Sequence, residues 1–185
     1  MRAKLITLTL ALMLGAGVAA CGEDDSSGGG GAESSEQTAA PEPTEAPATG
    51  GGVEAIAGGI SKDTAAKPEV PAPSGQPPPE LVIEDIVKGK GPKAKAGDQL
   101  TMQYVGVSWS NGEQFDASWD SGQPFPFELG AGMVIPGWDQ GMVGMRKGGR
   151  RLLVIPPDLG YGPAGSGPIG PNETLIFAVD LVELG

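Results

Sequence analysis

Apolar and polar positions change rhythm twice along the chain, and the last rhythm defines a folded domain. From Glu80 onward, short apolar runs alternate with Gly- and Pro-rich punctuation. Leu81-Val-Ile-Glu-Asp-Ile-Val87 predicts a strand, and Lys88-Gly-Lys-Gly-Pro-Lys93 a basic turn. Leu100, Met102 and Tyr104 alternate with Thr101, Gln103 and Val105, a period of two that puts Tyr104 on the apolar side. Ser110-Asn-Gly-Glu113 is a hairpin turn signal, and Phe115-Asp116 and Pro124-Phe-Pro-Phe-Glu-Leu129 predict short extended pieces. Ile135, Trp138, Met142 and Met145 then follow at spacings of three and four, so they share one side of a helix. Pro136 suits its first position, while Gly137, Gly141 and Gly144 predict a short helix held by packing. Arg150 to Ile155 is another strand, Pro156 to Asn172 a loop, and Thr174 to Leu184 a long closing strand. Strands, one short helix and strands again, without β-α-β alternation, predict an α+β domain: an antiparallel β-sheet around one short helix.

The two earlier rhythms predict no core. Residues 1–20 carry Arg2 and Lys4, an apolar run from Leu5 to Leu14, and then small residues, the pattern of an export signal. The run is short for a membrane span. Val18-Ala19-Ala20-Cys21 resembles the lipobox of bacterial lipoproteins, which implies a lipid on Cys21 rather than an ordinary cleavage after Ala20 or an uncleaved anchor. Residues 22–79 are rich in Gly, Ser, Pro, Ala and Glu, with ten acidic residues against Lys62 and Lys67. Such composition predicts a disordered acidic spacer. Only Val53-Glu-Ala-Ile-Ala57 suggests a transient helical turn. The expected organisation is therefore a lipoprotein signal peptide (1–20), a lipidated Cys21 and linker (21–79), and a domain (80–185). Beginning the chain at Glu80 is expected to leave the fold's stability nearly unchanged.

Composition narrows the chemistry. A net charge of −11 argues against nucleic-acid binding, for want of a face that neutralises phosphates. With no His and one Cys, an intrachain disulfide, a His- or Cys-based metal site and a His-dependent triad are all excluded. No metal or cofactor is expected.

Seven motifs then fall in order: Tyr104-Val-Gly106, Asn111-Gly-Glu-Gln-Phe-Asp116, Pro124-Phe125, Val134-Ile-Pro-Gly-Trp138, Gly160-Tyr-Gly162, Ile169-Gly-Pro-Asn172 and Leu175-Ile-Phe177. Together they resemble the FKBP-type peptidyl-prolyl cis–trans isomerases over about residues 80–185. The resemblance implies a pocket of Tyr104, Phe115, Asp116, Phe125, Val134, Ile135, Trp138, Tyr161, Ile169 and Phe177. Within it, Tyr104, Asp116 and Tyr161 would be catalytic, and the others would bind substrate over a Trp138 floor. The Tyr161 hydroxyl and the Ile135 N–H would contact substrate carbonyls. Read without the resemblance, Phe125 and Phe177 could equally be core, Tyr104 and Tyr161 could cap it, and Asp116 could hold a turn. Ser121 stands where the family often has a basic residue. Pro168 and Gly170 also depart from the flap pattern.

The implied function is prolyl isomerisation of exported proteins by a monomer lipid-anchored to the outer face of the cytoplasmic membrane. Its partners would be X-Pro segments and, by resemblance, macrolide immunosuppressant-type ligands. The alternative is a binding module that docks proline-bearing partners without turnover. An aromatic pocket without His or Cys suits isomerisation, because rotation about a peptide bond needs no proton transfer or covalent step.

Overall fold

A computed structural model describes residues 50–185, which lie in one compact unit. The expected leader, the expected lipidation at Cys21 and the expected linker as far as residue 49 lie outside the described residues. Six strands form one sheet: β1 (Val82–Val87), β2 (Gln99–Ser108), β3 (Gln114–Ala117), β4 (Phe125–Glu128), β5 (Arg150–Ile155) and β6 (Leu175–Leu184). The order is β1-β5-β6-β2-β3, and every pairing is antiparallel. β2 is shared along one edge. Its first half pairs with β4 (Leu100 opposite Phe127) and its second half with β3 (Gly106 opposite Asp116). The expected antiparallel sheet is therefore present, and every predicted extended piece is a strand or contains one.

The expected helix is α3 (Pro136–Gly141), with Pro136 in its first turn and Ile135 as the N-cap residue. Its glycines are a packing requirement: a Cβ at Gly137 or Gly141 would come within 2.4 Å of Ile155 or 2.8 Å of Leu153 on β5. Arg151 secures the far end of α3. Its guanidinium donates to the Gly141 and Val143 carbonyls at 2.7 and 3.2 Å, and to Asp85 at 2.7 Å. Orphan carbonyls at a helix C-terminus need such donors. Under α3, Leu100, Met102, Phe127, Met142, Met145, Leu153, Ile155, Leu175, Phe177 and Val179 form the inner core.

The opposite face of the sheet corrects the linker reading. Residues 50–79 hold a further helix, α1 (Gly50–Gly59), whose Val53, Ile56, Ala57 and Ile60 are buried against Val105, Val107, Leu152, Val154, Ile176 and Ala178. The following chain stays on the sheet. Fully buried Arg150 donates to the Ser61 and Ala66 carbonyls at 2.7 and 2.9 Å while holding Asp180 through Nε and Nη2 at 2.6 and 2.7 Å. Trp109 Nε1 donates to the Gly75 carbonyl, and Lys67 pairs with Asp120 at 2.5 Å. This stretch is thus part of the domain, because two sheet faces needed covering and the inner helix covers one. A third, one-turn helix, α2 (Ser118–Ser121), was also unforeseen; it follows β3 and ends at Gly122 with φ 66°.

Candidate active site

Between α3, the sheet and the loop after β5 lies a cavity of about 430 Å³, open on one side. It is lined by Tyr104, Phe115, Asp116, Phe125, Met133, Val134, Ile135, Trp138, Tyr161 and Phe177. The period-two pattern of β2 sends Tyr104 inward, and β6 likewise presents Phe177. Trp138, the floor, is 4% exposed. The rings of Phe177, Tyr104, Phe127 and Phe125 stand around it at centroid distances of 5.2, 5.3, 5.7 and 6.2 Å, mostly edge-on. Edge-to-face packing of this kind fixes ring positions as well as burying area. Phe115 meets Phe177 at 5.5 Å, and both crowd Gly106, where a Cβ would approach their rings within 2.8 Å.

The polar groups are few. The Tyr104 hydroxyl donates to the Asp116 carboxylate at 2.5 Å. Burial, and then that bond, hold the Tyr104 phenol well above the ordinary tyrosine pKa, so it stays protonated at neutral pH. The Tyr104 N–H donates to Ser118 Oγ at 2.8 Å, and that hydroxyl donates onward to Gln103. The Ser121 hydroxyl donates to the Ser118 carbonyl at 2.9 Å rather than to Asp116. The Asp116 carboxylate has the Tyr104 hydroxyl as its only hydrogen-bond partner among the described residues, in place of a cation. By contrast, the Tyr161 hydroxyl and the Ile135 N–H have no protein partner among the described residues. Both border the cavity, where they are available to carbonyl oxygens of a ligand.

Nine of the ten expected pocket residues line the cavity together. Ile169 does not. It is buried in the inner core, in a tight turn where Ser166 and Ile169 exchange backbone hydrogen bonds at 2.9 Å. From there it backs the wall rather than forming it. Met133, missed in the sequence, supplies an apolar rim and is 67% exposed. Asp139 holds this rim in place, its two carboxylate oxygens accepting from the Gly130 and Gly132 N–H groups at 2.9 and 3.1 Å.

A sheet wrapped on a short helix, with an aromatic-floored cavity whose lining holds one carboxylate and two tyrosines but no Ser, Cys or His, is the architecture of a proline-isomerase domain. The model of the FKBP-type peptidyl-prolyl cis-trans isomerases matches residues 91–182. An FK506-binding protein of Streptomyces anulatus is 58% identical over 118 residues, 63% of this chain and 95% of the relative. A probable FK506-binding protein of Corynebacterium glutamicum is 47% identical, over 63% of this chain and 97% of its own length. The crystal structure of AtFKBP13 superposes with a TM-score of 0.54 at 38% identity, covering 57% of this chain and 93% of that one. The chain belongs to the FKBP family and is a peptidyl-prolyl cis–trans isomerase. The Streptomyces match covers more of the chain than Glu80 to Gly185 contains, so the shared region begins upstream of Glu80.

Proposed function

We propose that the protein is exported, is held at the outer face of the cytoplasmic membrane by a lipid on Cys21, and isomerises X-Pro bonds of exported proteins there as a monomer. The leader-like residues 1–20 and the Val18-Ala19-Ala20-Cys21 junction support the location. The observation that carries the catalytic reading is the cavity: an apolar floor and walls with two unpartnered donors at its border. A planar amide is strongly dipolar, whereas the twisted transition state has lost resonance. Leaving water for this cavity therefore penalises the ground state more than the transition state. Trp138 supports the proline ring, and the Tyr161 hydroxyl and Ile135 N–H hold substrate carbonyls. Asp116 and the neutral Tyr104 phenol fix the polar wall. The same cavity would accept FK506-type macrolides, the ligands named for the relatives.

The test is kcat/KM on an X-Pro peptide from pH 6 to 9. Tyr161→Phe removes one hydroxyl contact, about 1–2 kcal/mol or roughly five- to thirtyfold. Asp116→Val is expected to reduce turnover without abolishing it, and the pH profile to be flat, since Tyr104 stays protonated throughout. Near-complete loss with a sloping profile would point to proton transfer instead. No exchange above background, with proline peptides still bound, would leave a binding module.

The anchor is tested separately. Cys21→Ala is expected to shift the protein from the membrane fraction to the soluble fraction or to stop its maturation. Unchanged membrane retention would indicate an uncleaved apolar segment.

A further inference from the structure

Half of the chain's 12 Lys and Arg residues stand together at one end of the sheet: Lys88, Lys90, Lys93, Lys95, Arg146 and Lys147. All six are exposed, and none lies within ion-pair distance of a carboxylate among the described residues. The fold brings them together by pairing two segments. Ala94 and Gly144 donate to the Met145 and Ala94 carbonyls at 2.8 Å, and Lys147 and Gly91 donate to the Pro92 and Lys147 carbonyls at 3.2 Å. Lys93 and Arg146 face each other in this ribbon. Gly89 and Gly91 permit it. A Cβ at Gly89 would meet the Arg146 and Lys147 carbonyl oxygens at 2.4 Å, and one at Gly91 would meet the Lys147 side chain at 2.6 Å.

Gathering like charges opposes folding, and no cation of the ribbon forms an ion pair among the described residues to offset it. The kind of partner follows from the side chains. Five of the six are lysines, hydrated point charges on mobile stems, and the Arg146 guanidinium already donates to the Gly91 carbonyl at 2.9 Å. The ribbon carries no aromatic residue to anchor a peptide. A diffuse anionic surface suits such a set better than a defined acidic sequence does. Orientation agrees. Arg146 and Lys147 lead into β5, whereas the loop bearing Tyr161 leaves its other end, roughly 20 Å away at the rise of a six-residue strand. A surface under the ribbon leaves that side of the cavity uncovered.

We propose that this cationic ribbon docks on anionic phospholipid headgroups and orients the catalytic cavity away from the membrane. The proposal rests on the membrane location argued above. The experiment uses residues 44–185, the compact unit without any lipid, sedimented with vesicles of phosphatidylcholine alone or with added phosphatidylglycerol. Binding is expected only with phosphatidylglycerol. It should fall steeply between about 0.05 and 0.5 M salt, as the screening length shrinks to a few ångströms. Joint Lys88→Glu, Lys90→Glu, Lys93→Glu and Lys95→Glu substitution should weaken it at least about tenfold. Isomerase activity should stay at the wild-type level in that variant, which reports an intact fold. The control Lys62→Glu should leave vesicle binding unchanged. No binding, equal binding to both vesicles, or binding indifferent to the four reversals overturns the proposal. Binding to a poly-glutamate peptide but not to vesicles overturns it in favour of an acidic protein partner. Because no lipid is on the chain, failure here leaves the Cys21 anchor to its own test.

Discussion

A chain beginning at Glu80 is expected to melt at least about 10 °C below one beginning at Thr44, and to bind apolar dyes or aggregate. Its loss begins with Val53, Ile56 and Ile60, each buried to within 5% exposure. Burial of each is worth about 1.5–3 kcal/mol, offset in part by the entropy of ordering the helix. Removing them uncovers Val105, Val107, Trp109, Leu152, Val154 and Ile176, a continuous apolar face. Arg150 adds a polar cost. Its guanidinium keeps Asp180 but exchanges the Ser61 and Ala66 carbonyls for water, a loss on the order of 1 kcal/mol per hydrogen bond. Each kcal/mol moves the midpoint by a few degrees in a domain of this size. Differential scanning calorimetry of the two chains decides it. Midpoints within about 2 °C of each other would show that α1 and its extension add nothing to the fold.

Trp138→Ala is expected to cost about 3–5 kcal/mol of stability and to reduce kcat/KM at least about tenfold, measured well below the variant's melting point. Four aromatic rings stand within 6.2 Å of the Trp138 ring, and all lose a packing partner at once. The vacated space lies at the floor of the cavity and admits water, which restores solvation to the amide ground state. Trp138→Phe keeps an aromatic surface and is expected to retain more of both properties. The pair separates a floor that excludes water from a residue that only supports the core. Full catalytic efficiency in a folded Trp138→Ala would exclude the desolvating floor.

Much of this architecture was legible. The alternation Leu100, Met102, Tyr104 placed β2's inner face correctly, since side chains on a strand have no freedom to choose another period. The Ile135–Met145 spacing located α3, although only Pro136–Gly141 is helical; Ile135 caps it and Met142 ends it. Motif order then assembled nine of the ten cavity residues. Met133 escaped because an exposed methionine in a Gly-rich loop carries no periodic signal; Asp139, six residues on, is what holds that loop against the cavity. Ile169 was misplaced because a turn of four residues decides whether its side chain faces the cavity or the core.

The N-terminal boundary shows where local reading stops. Val53, Ile56, Ala57 and Ile60 fall at i, i+3, i+4 and i+7, the spacing of an amphipathic helix, yet five glycines in and beside α1 give it poor intrinsic propensity. A second signal lay in the partner strands. Leu152-Leu-Val-Ile155 and Leu175-Ile-Phe-Ala-Val179 are apolar at every position, so both faces of the sheet must be covered. The sequence by itself determined the strands, α3 and the chemistry of the cavity, because backbone period and residue type act over a few neighbours. Only the tertiary structure decided which polar-flanked apolar residues reach the sheet, where Ile169 points, and that lysines dozens of residues from Arg146 share its surface. Those outcomes depend on pairing between distant segments, and on the area each pairing removes from water.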